Sequence, residues 1–350
     1  MEETNFPTES PFPKENPFQK EISLQQSIPS QQKFVSLGRW LPPLTIFLII
    51  GFAIVYPQRV DKQNVWNLFF LICLYMTMSQ SWNILAGFAG QSSLGHAAFF
   101  GIGALVTRTL WLNETAPFPF VIAFLLGGVA SVVFAILIGV PTFRLRGAYF
   151  AIGTLGVAEV LRITVSQNIP FISSLPGPLI ASYTLPPRYF LALGLAVVTT
   201  GTAYLLLRSP WSLGILAVRE DEEAAQATGV HVLRHKLLAL ILSSFFAGLA
   251  GGVFAYQQIS YYPSAPFSPL WTFDAVLITF IGGLGTLAGP VLGAIFFILV
   301  RQQLAVTLVE VHQVIFGVFF IIIVIVFPGG LVEVWHRFAQ FWKKRIQRNA

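Results

Sequence analysis

Charge is what this sequence has least of. Asp, Glu, Lys and Arg make up only 10% of its 350 residues, whereas soluble globular domains carry about 25%, so an ordinary water-solvated surface is excluded. Cysteine is nearly absent too: Cys73 is the single one, which rules out an intrachain disulfide and suggests no Cys-based metal site. No G-x-x-x-x-G-K-[ST] phosphate loop occurs, so the chain has no such cradle of its own for ATP. No period-two alternation of the kind that builds a membrane β-barrel is present. No cluster of metal ligands or nucleophile with its base stands out, which argues against an integral-membrane enzyme. Residues 1–36 lack an apolar stretch and are rich in Pro, Ser, Gln and Glu, the composition of a disordered tail and not of a signal peptide.

What is abundant is apolar sequence, 55% of the chain, gathered in runs near the roughly 20 residues a helix needs to cross a bilayer. Unpaired backbone groups are too costly in lipid for anything but helices or closed barrels, so the expected fold is all-α, a polytopic bundle of about 8–10 transmembrane helices. The net charge of +6 does not form one basic patch, so nucleic acid is not an expected partner; the basic residues flank apolar runs and act as topology signals. They place Lys33 and Arg39, the loop with Arg144 and Arg146, the stretch Arg208–Lys236 and the tail from Arg337 on the cytoplasmic side. Between these anchors the number of crossings must be even. Segments 42–56, 66–86, 94–112 and 117–141 satisfy the first interval, and 147–165 with 189–207 the second, leaving 166–188 outside. The last interval holds 236–258, 272–300 and 311–327, which balances only if the glycine-rich middle stretch forms two half-helices or short spans. A transmembrane domain over 37–336, a disordered cytoplasmic tail over 1–36 and a basic cytoplasmic tail over 337–350 follow, both termini facing the cytoplasm.

Two glycine interruptions sit in corresponding places of the two halves: "GFAGQSSLGHAAFFGIG" from Gly87 and "GGLGTLAGPVLG" from Gly282. Paired breaks of this kind point to a midplane binding site in secondary transporters, while small residues also serve close helix packing. Both readings stay open. The candidate substrate path comprises Gly87, Gly90, Gln91, Ser92, Ser93, His96, Gly282 and Gly285, whose amide and hydroxyl groups suit transient contact with a zwitterion. Interhelical hydrogen bonding competes for the serines and Gln91, and His96, placed near an interface, is a packing residue or a proton relay. Glu159 and Arg162 lie three apart on one helix face, an intramembrane ion pair near the external end, internal to the protein because exposed charge in lipid is costly. Asp274 is a helix N-cap at the interface or a pathway group, and Trp271, Tyr261 and Tyr262 are interfacial anchors.

The loop from Ser209 to Lys236 is too patterned for a linker. Asp221 is placed to cap a two-turn helix with Glu222 and Glu223 in its first turn, Ala224 and Ala225 as strong helix formers, and Gly229 as its stop. A carboxylate face beside small alanines suits insertion into a groove on another protein.

Glu223-Ala224-Ala225 followed by Gly229 resembles the EAA loop of bacterial ABC importer permeases. With "LAVREDEEAAQATGV", "AGQSSLGHAAFFGIGA", "RLRGAYFAIGTLG" and "FIGGLGTLAGPVLGA" in order, the chain from about 66 to 327 resembles the LivM-type permeases for branched-chain and other neutral hydrophobic amino acids. That resemblance implies a bacterial inner-membrane importer with a second homologous permease, two cytoplasmic ABC ATPases docked through Arg219, Asp221, Glu222, Glu223, Ala224, Ala225 and Gly229, and an external amino-acid-binding protein. No cofactor is expected in this chain, since ATP is bound by the partners, and no metal. Permeases for urea or short amides share much of the pattern, and an ion-coupled secondary transporter is a further alternative.

Overall fold

The structure, a computed structural model, describes residues 43–60, 62–113, 118–169, 173–307, 317–318, 321 and 329–334. The expected tails 1–36 and 337–350, and most of the segment 311–327, lie outside the described residues. Among the described residues the regular structure is helical except for one antiparallel pair of two-residue strands, β1 (Ser173–Ser174) and β2 (Ser260–Tyr261). The helices are α1 (Pro43–Val60), α2 (Gln63–Asn83, continued by a π turn to Phe88), α3 (His96–Trp111), α4 (Phe120–Thr142), α5 (Ala148–Asn168), α6 (Gly177–Ala181), α7 (Leu185–Arg208), α8 (Trp211–Glu220), α9 (Glu222–Ala227), α10 (Val232–Gln257), α11 (Leu270–Gly282) and α12 (Gly289–Thr307). Five of them, α2 with its π turn, α4, α5, α7 and α10, are long and apolar enough to cross a membrane.

α2 and α10 form the buried centre. α10 packs against α3 and α4, and the approach there is close because no side chain intervenes: a Cβ on Gly103 would stand 2.0 Å from the Gly248 carbonyl oxygen, and one on Gly251 would stand 1.9 Å from that of Phe100. Lipid offers apolar side chains as good a solvent as the protein does, so association depends on such close packing and on polar links. One such link is the buried Ser131 hydroxyl of α4, which donates to the Phe99 carbonyl at 2.8 Å. The last carbonyls of α10, which helix geometry leaves unpaired, are taken up by two arginines. Arg108 donates to Ala255 O (3.1 Å) and, just past the helix end, to Gln258 O (2.9 Å) and Ile259 O (3.2 Å), while Arg188 donates to Tyr256 O (3.2 Å). Their charge also suits the negative end of the helix dipole.

α5 is the opposite case. Only Phe150, Thr154, Ala158 and Val165 are buried, a narrow stripe, while Tyr149, Ile152, Val160 and Ile163 stand exposed.

The stretch expected to divide does so, into α11 and α12 around a turn at residues 283–288. The 94–112 segment differs from a plain crossing. At about 1.5 Å per residue the 16 residues of α3 reach only about 24 Å, and they begin inside the bundle: His96 bonds Ser243, the twelfth of the 26 residues of α10. Residues 89–95 climb to that level from the end of α2.

Candidate functional site

The Ser209–Lys236 loop folds as two helices, α8 and α9, set at the end of the bundle where α2 finishes. The α9 cap is formed by Asp221, whose Oδ1 accepts from the backbone N–H groups of Glu223 (2.8 Å) and Ala224 (3.0 Å). Its end is a Schellman turn, Val230 N–H to Ala225 O at 3.0 Å and Gly229 N–H to Gln226 O at 3.0 Å, with Gly229 at φ +89°, a left-handed conformation that glycine adopts without strain. Ala225 faces inward and is buried, whereas Glu223 and Ala224 face outward. Arg146, from the turn before α5, donates to Glu223 at 2.8 Å. That hydrogen bond, and then the charge of Glu223, hold the Arg146 guanidinium above its ordinary pKa against an opposing effect of burial, with the Glu222 charge adding least. Sequence reasoning missed α8, whose apolar pattern is short and whose start carries a proline at the cap.

The two glycine breaks meet each other beneath this loop. Asn83, in the last turn of α2, accepts from Gly285 N–H (2.9 Å) and donates to Thr286 O (2.9 Å). A Cβ on Gly87 would lie 2.8 Å from Gly285 N. Gly90 and Gly285 adopt φ of +72° and +73°, positions where a side chain would be strained. Arg219, near the end of α8, lies across both: the Cβ position of Gly90 is 3.2 Å from its Cα, and that of Gly285 is 2.6 Å from its Nη1. Gln91 donates to Glu222 Oε1 at 3.1 Å, and the same oxygen accepts from buried Lys236 at 2.5 Å. Of the residues expected along a substrate path, therefore, Gly90, Gln91 and Gly285 stand beside Arg219 and Glu222 of the loop, and Gly87 packs against Gly285. Gly282 packs against Gly289 across the second break, and Ser92 is exposed.

Ser93 and His96 lie deeper. The Ser93 carbonyl accepts from Trp82 Nε1 at 2.7 Å, and its hydroxyl accepts from Gly95 N–H at 3.2 Å. The position of His96 corrects the expectation of an interfacial residue: it is fully buried, level with the middle of α10, because α3 starts there. The Ser243 hydroxyl donates its single proton to Ser81 O at 2.7 Å. It can therefore only accept from His96, at 2.6 Å, which assigns the proton to Nε2 and leaves Nδ1 as an acceptor with no partner. Trp271 and Tyr261 are likewise not interfacial anchors. Trp271 stacks on Phe100 (4.5 Å) and Tyr75 (5.3 Å), and Tyr261 is buried beneath Arg108, while Tyr262 is exposed.

The Glu159–Arg162 pair forms, with bonds from Arg162 Nε at 3.0 and 2.9 Å. It is not internal to this chain, however, nor at a helix end. Glu159 is the twelfth of the 21 residues of α5, and the two side chains are 36% and 39% exposed, because α5 turns a wide face away from the bundle. Asp274 is not an N-cap, since α11 begins at Leu270. Its Oδ2 accepts from Tyr75 (3.0 Å) and Arg301 (2.8 Å), and Arg301 also reaches the Tyr75 hydroxyl (2.9 Å). Sequence reasoning overlooked Arg301. The signal was there, a lone arginine in an apolar run where ionisable groups are expensive, but its partner lies 27 residues earlier on another helix. Among the described residues no three His, Cys, Asp or Glu side chains converge as metal ligands.

A bundle of apolar helices, with two glycine turns that meet under a polar two-helix loop, defines an all-α multi-pass membrane protein. Residues 64–324 match the model of the family described as "branched-chain amino acid transport system / permease component", and the chain belongs to that family of ABC transporter permeases. It is 28% identical to the high-affinity branched-chain amino acid transport system permease protein LivM of Salmonella typhimurium, covering 83% of this chain and 74% of the relative, with the same figures for that of Escherichia coli. A probable branched-chain amino acid transport permease protein LivM of Methanocaldococcus jannaschii is 22% identical over 74% of this chain and 90% of its own length. No solved structure matches the chain. A permease of this family transports and is not an enzyme, and the family works with ATPase and binding-protein subunits.

Proposed function

We propose that this chain is the path-forming permease of a binding-protein-dependent importer for branched-chain or other neutral hydrophobic amino acids in a bacterial inner membrane. The observation that carries this reading is the seating of α8 and α9 on both glycine breaks. One of two ATPase subunits docks on the outward face of α9, at Glu223 and Ala224, and the two hydrolyse ATP. Their movement passes inward through the Arg219 contacts and the Glu222–Gln91 bond to the hinge between α2 and α3 and the hinge between α11 and α12. A second homologous permease completes the path, and an external binding protein delivers the amino acid.

In this reading the loop end of the bundle is cytoplasmic, with both termini. α1, α3, α5, α10 and α12 run outward and α2, α4, α7 and α11 inward. Gly329 and Val332 pack against Gly283, so the chain is back at the loop end after α12, which supports an even number of crossings in the last interval. The names of the bacterial and archaeal relatives support the substrate class.

Replacing Glu223 and Gly229 together tests the docking role: uptake of radiolabelled leucine should be abolished while membrane insertion is retained. Uptake at the wild-type rate would overturn it. Competition by alanine, proline and urea against leucine measures the substrate range.

A further inference from the structure

Tyr75, Asp274 and Arg301 come from α2, α11 and α12, and their groups meet near the middle of the bundle. Tyr75 is the thirteenth of the 26 residues from Gln63 to Phe88. The bonds they make with one another use only part of their capacity. Asp274 Oδ2 accepts from both Tyr75 and Arg301, and Arg301 makes its bonds to Asp274 and Tyr75 through Nη1. A carboxylate has a second oxygen, and a guanidinium has three more donors on Nε and Nη2. The Arg301 side chain is 43% exposed and that of Asp274 is 16% exposed, so the cluster has an open side. Guanidinium donors that bond to none of the described residues at this depth are costly unless something polar meets them. Beside the charges lies an aromatic shelf whose partly exposed member is Trp271; behind it are the buried Tyr75, 5.3 Å from Trp271, and the buried Phe297, 5.8 Å from Tyr75, with the Arg301 guanidinium 5.8 Å from the Tyr75 and Phe297 rings.

We propose that this cluster is the membrane-embedded site that holds the zwitterionic end of an amino acid in transit. Asp274 Oδ1 takes the ammonium, the open Arg301 donors take the carboxylate, and the aromatic shelf takes the aliphatic side chain. Ammonium and carboxylate are borne on one carbon, and the 2.8 Å contact between Asp274 and Arg301 sets their open edges side by side, so both poles engage at once. Charge-assisted hydrogen bonds give the recognition. When the site empties, the two charges still compensate each other, so no unpaired charge is left behind and release is not penalised. The assignment rests on the amino-acid importer reading given above.

The test uses the importer purified with its partner subunits and reconstituted in lipid vesicles. A photoreactive diazirine analogue of leucine should label Trp271, or the Asp274 and Arg301 side chains beside it, and excess leucine should suppress the label. Arg301→Lys keeps the charge but loses the planar fork. It should lower leucine uptake per ATP hydrolysed by about tenfold, the worth of one charge-assisted bond, while the subunits still co-purify. Labelling confined to other residues would overturn the site. So would near-normal uptake by the paired variant Asp274→Asn with Arg301→Gln, which preserves a hydrogen bond between the helices but cannot bind a zwitterion. Failure of the wild-type vesicles to take up leucine overturns the importer reading itself, whereas wild-type uptake with unaffected variants overturns only the site.

Discussion

Among the described residues two arginine–carboxylate pairs lie at mid-helix depth, and they are built in opposite ways. Glu159 and Arg162 share one face of α5, a turn apart, and both are more than a third exposed. Asp274 and Arg301 stand on two helices either side of a glycine turn, and Tyr75 of a third helix bonds to both. The first pair could form on an isolated helix, whereas the second exists only when α2, α11 and α12 are assembled. A charge pair within a spanning segment therefore says little by itself: what matters is whether it ties helices together. The helices follow the same division. α10 meets α3 with glycine against backbone, while α5 leaves most of its circumference open.

The largest expected effect comes from breaking the assembled pair. Asp274→Ala leaves the Arg301 guanidinium and the Tyr75 hydroxyl without their shared acceptor. The cost should approach the lower end of about 3–5 kcal/mol for one-sided loss of a buried pair, since Arg301 is partly exposed; thermal unfolding in detergent measures it. If the midpoint does not move, the cluster holds nothing together. Next comes the packing contrast. Gly103→Ala drives a methyl group into the Gly248 carbonyl and should cost about 1–3 kcal/mol, as overpacking does. Gly156→Ala meets no atom within 4 Å and should leave the isolated subunit unchanged or firmer by about 0.5–1 kcal/mol from helix propensity. A loss of subunit co-purification in Gly156→Ala would mean that a partner covers this face of α5. The smallest effect belongs to Glu159→Gln, which removes the charge from a pair already in contact with its surroundings. Its unfolding midpoint should shift less than that of Asp274→Ala, and an equal shift would erase the distinction between the two pairs.

Much of this architecture is legible along the chain, for definite physical reasons. The spans of α2, α4, α5, α7 and α10 stand out because a bilayer demands long apolar runs. The α9 cap and stop are local devices, written in Asp221 and Gly229 within a few residues of the groups they satisfy. The division of α11 from α12 follows from glycine and proline in an otherwise apolar stretch. What escaped was non-local. Trp271 reads as an interfacial anchor by composition, but the loop before α11 turns it inward onto Phe100. His96 belongs to the middle of the bundle because α3 begins there, and no residue near His96 announces that depth. Gln91 reads as a path residue, yet its amide is held by Glu222, 131 positions away.

The sequence by itself determined that the chain spans a membrane as helices, where those helices break, and that a capped two-turn helix interrupts the apolar pattern, because solvent transfer, capping and chain stiffness act over a turn or two. Only the tertiary structure decided that the two glycine breaks touch, that Arg219 lies across both, and that Arg301 finds Asp274 and Tyr75. Those are contacts between helices distant in the chain, selected by packing and by the cost of leaving a polar group without a partner.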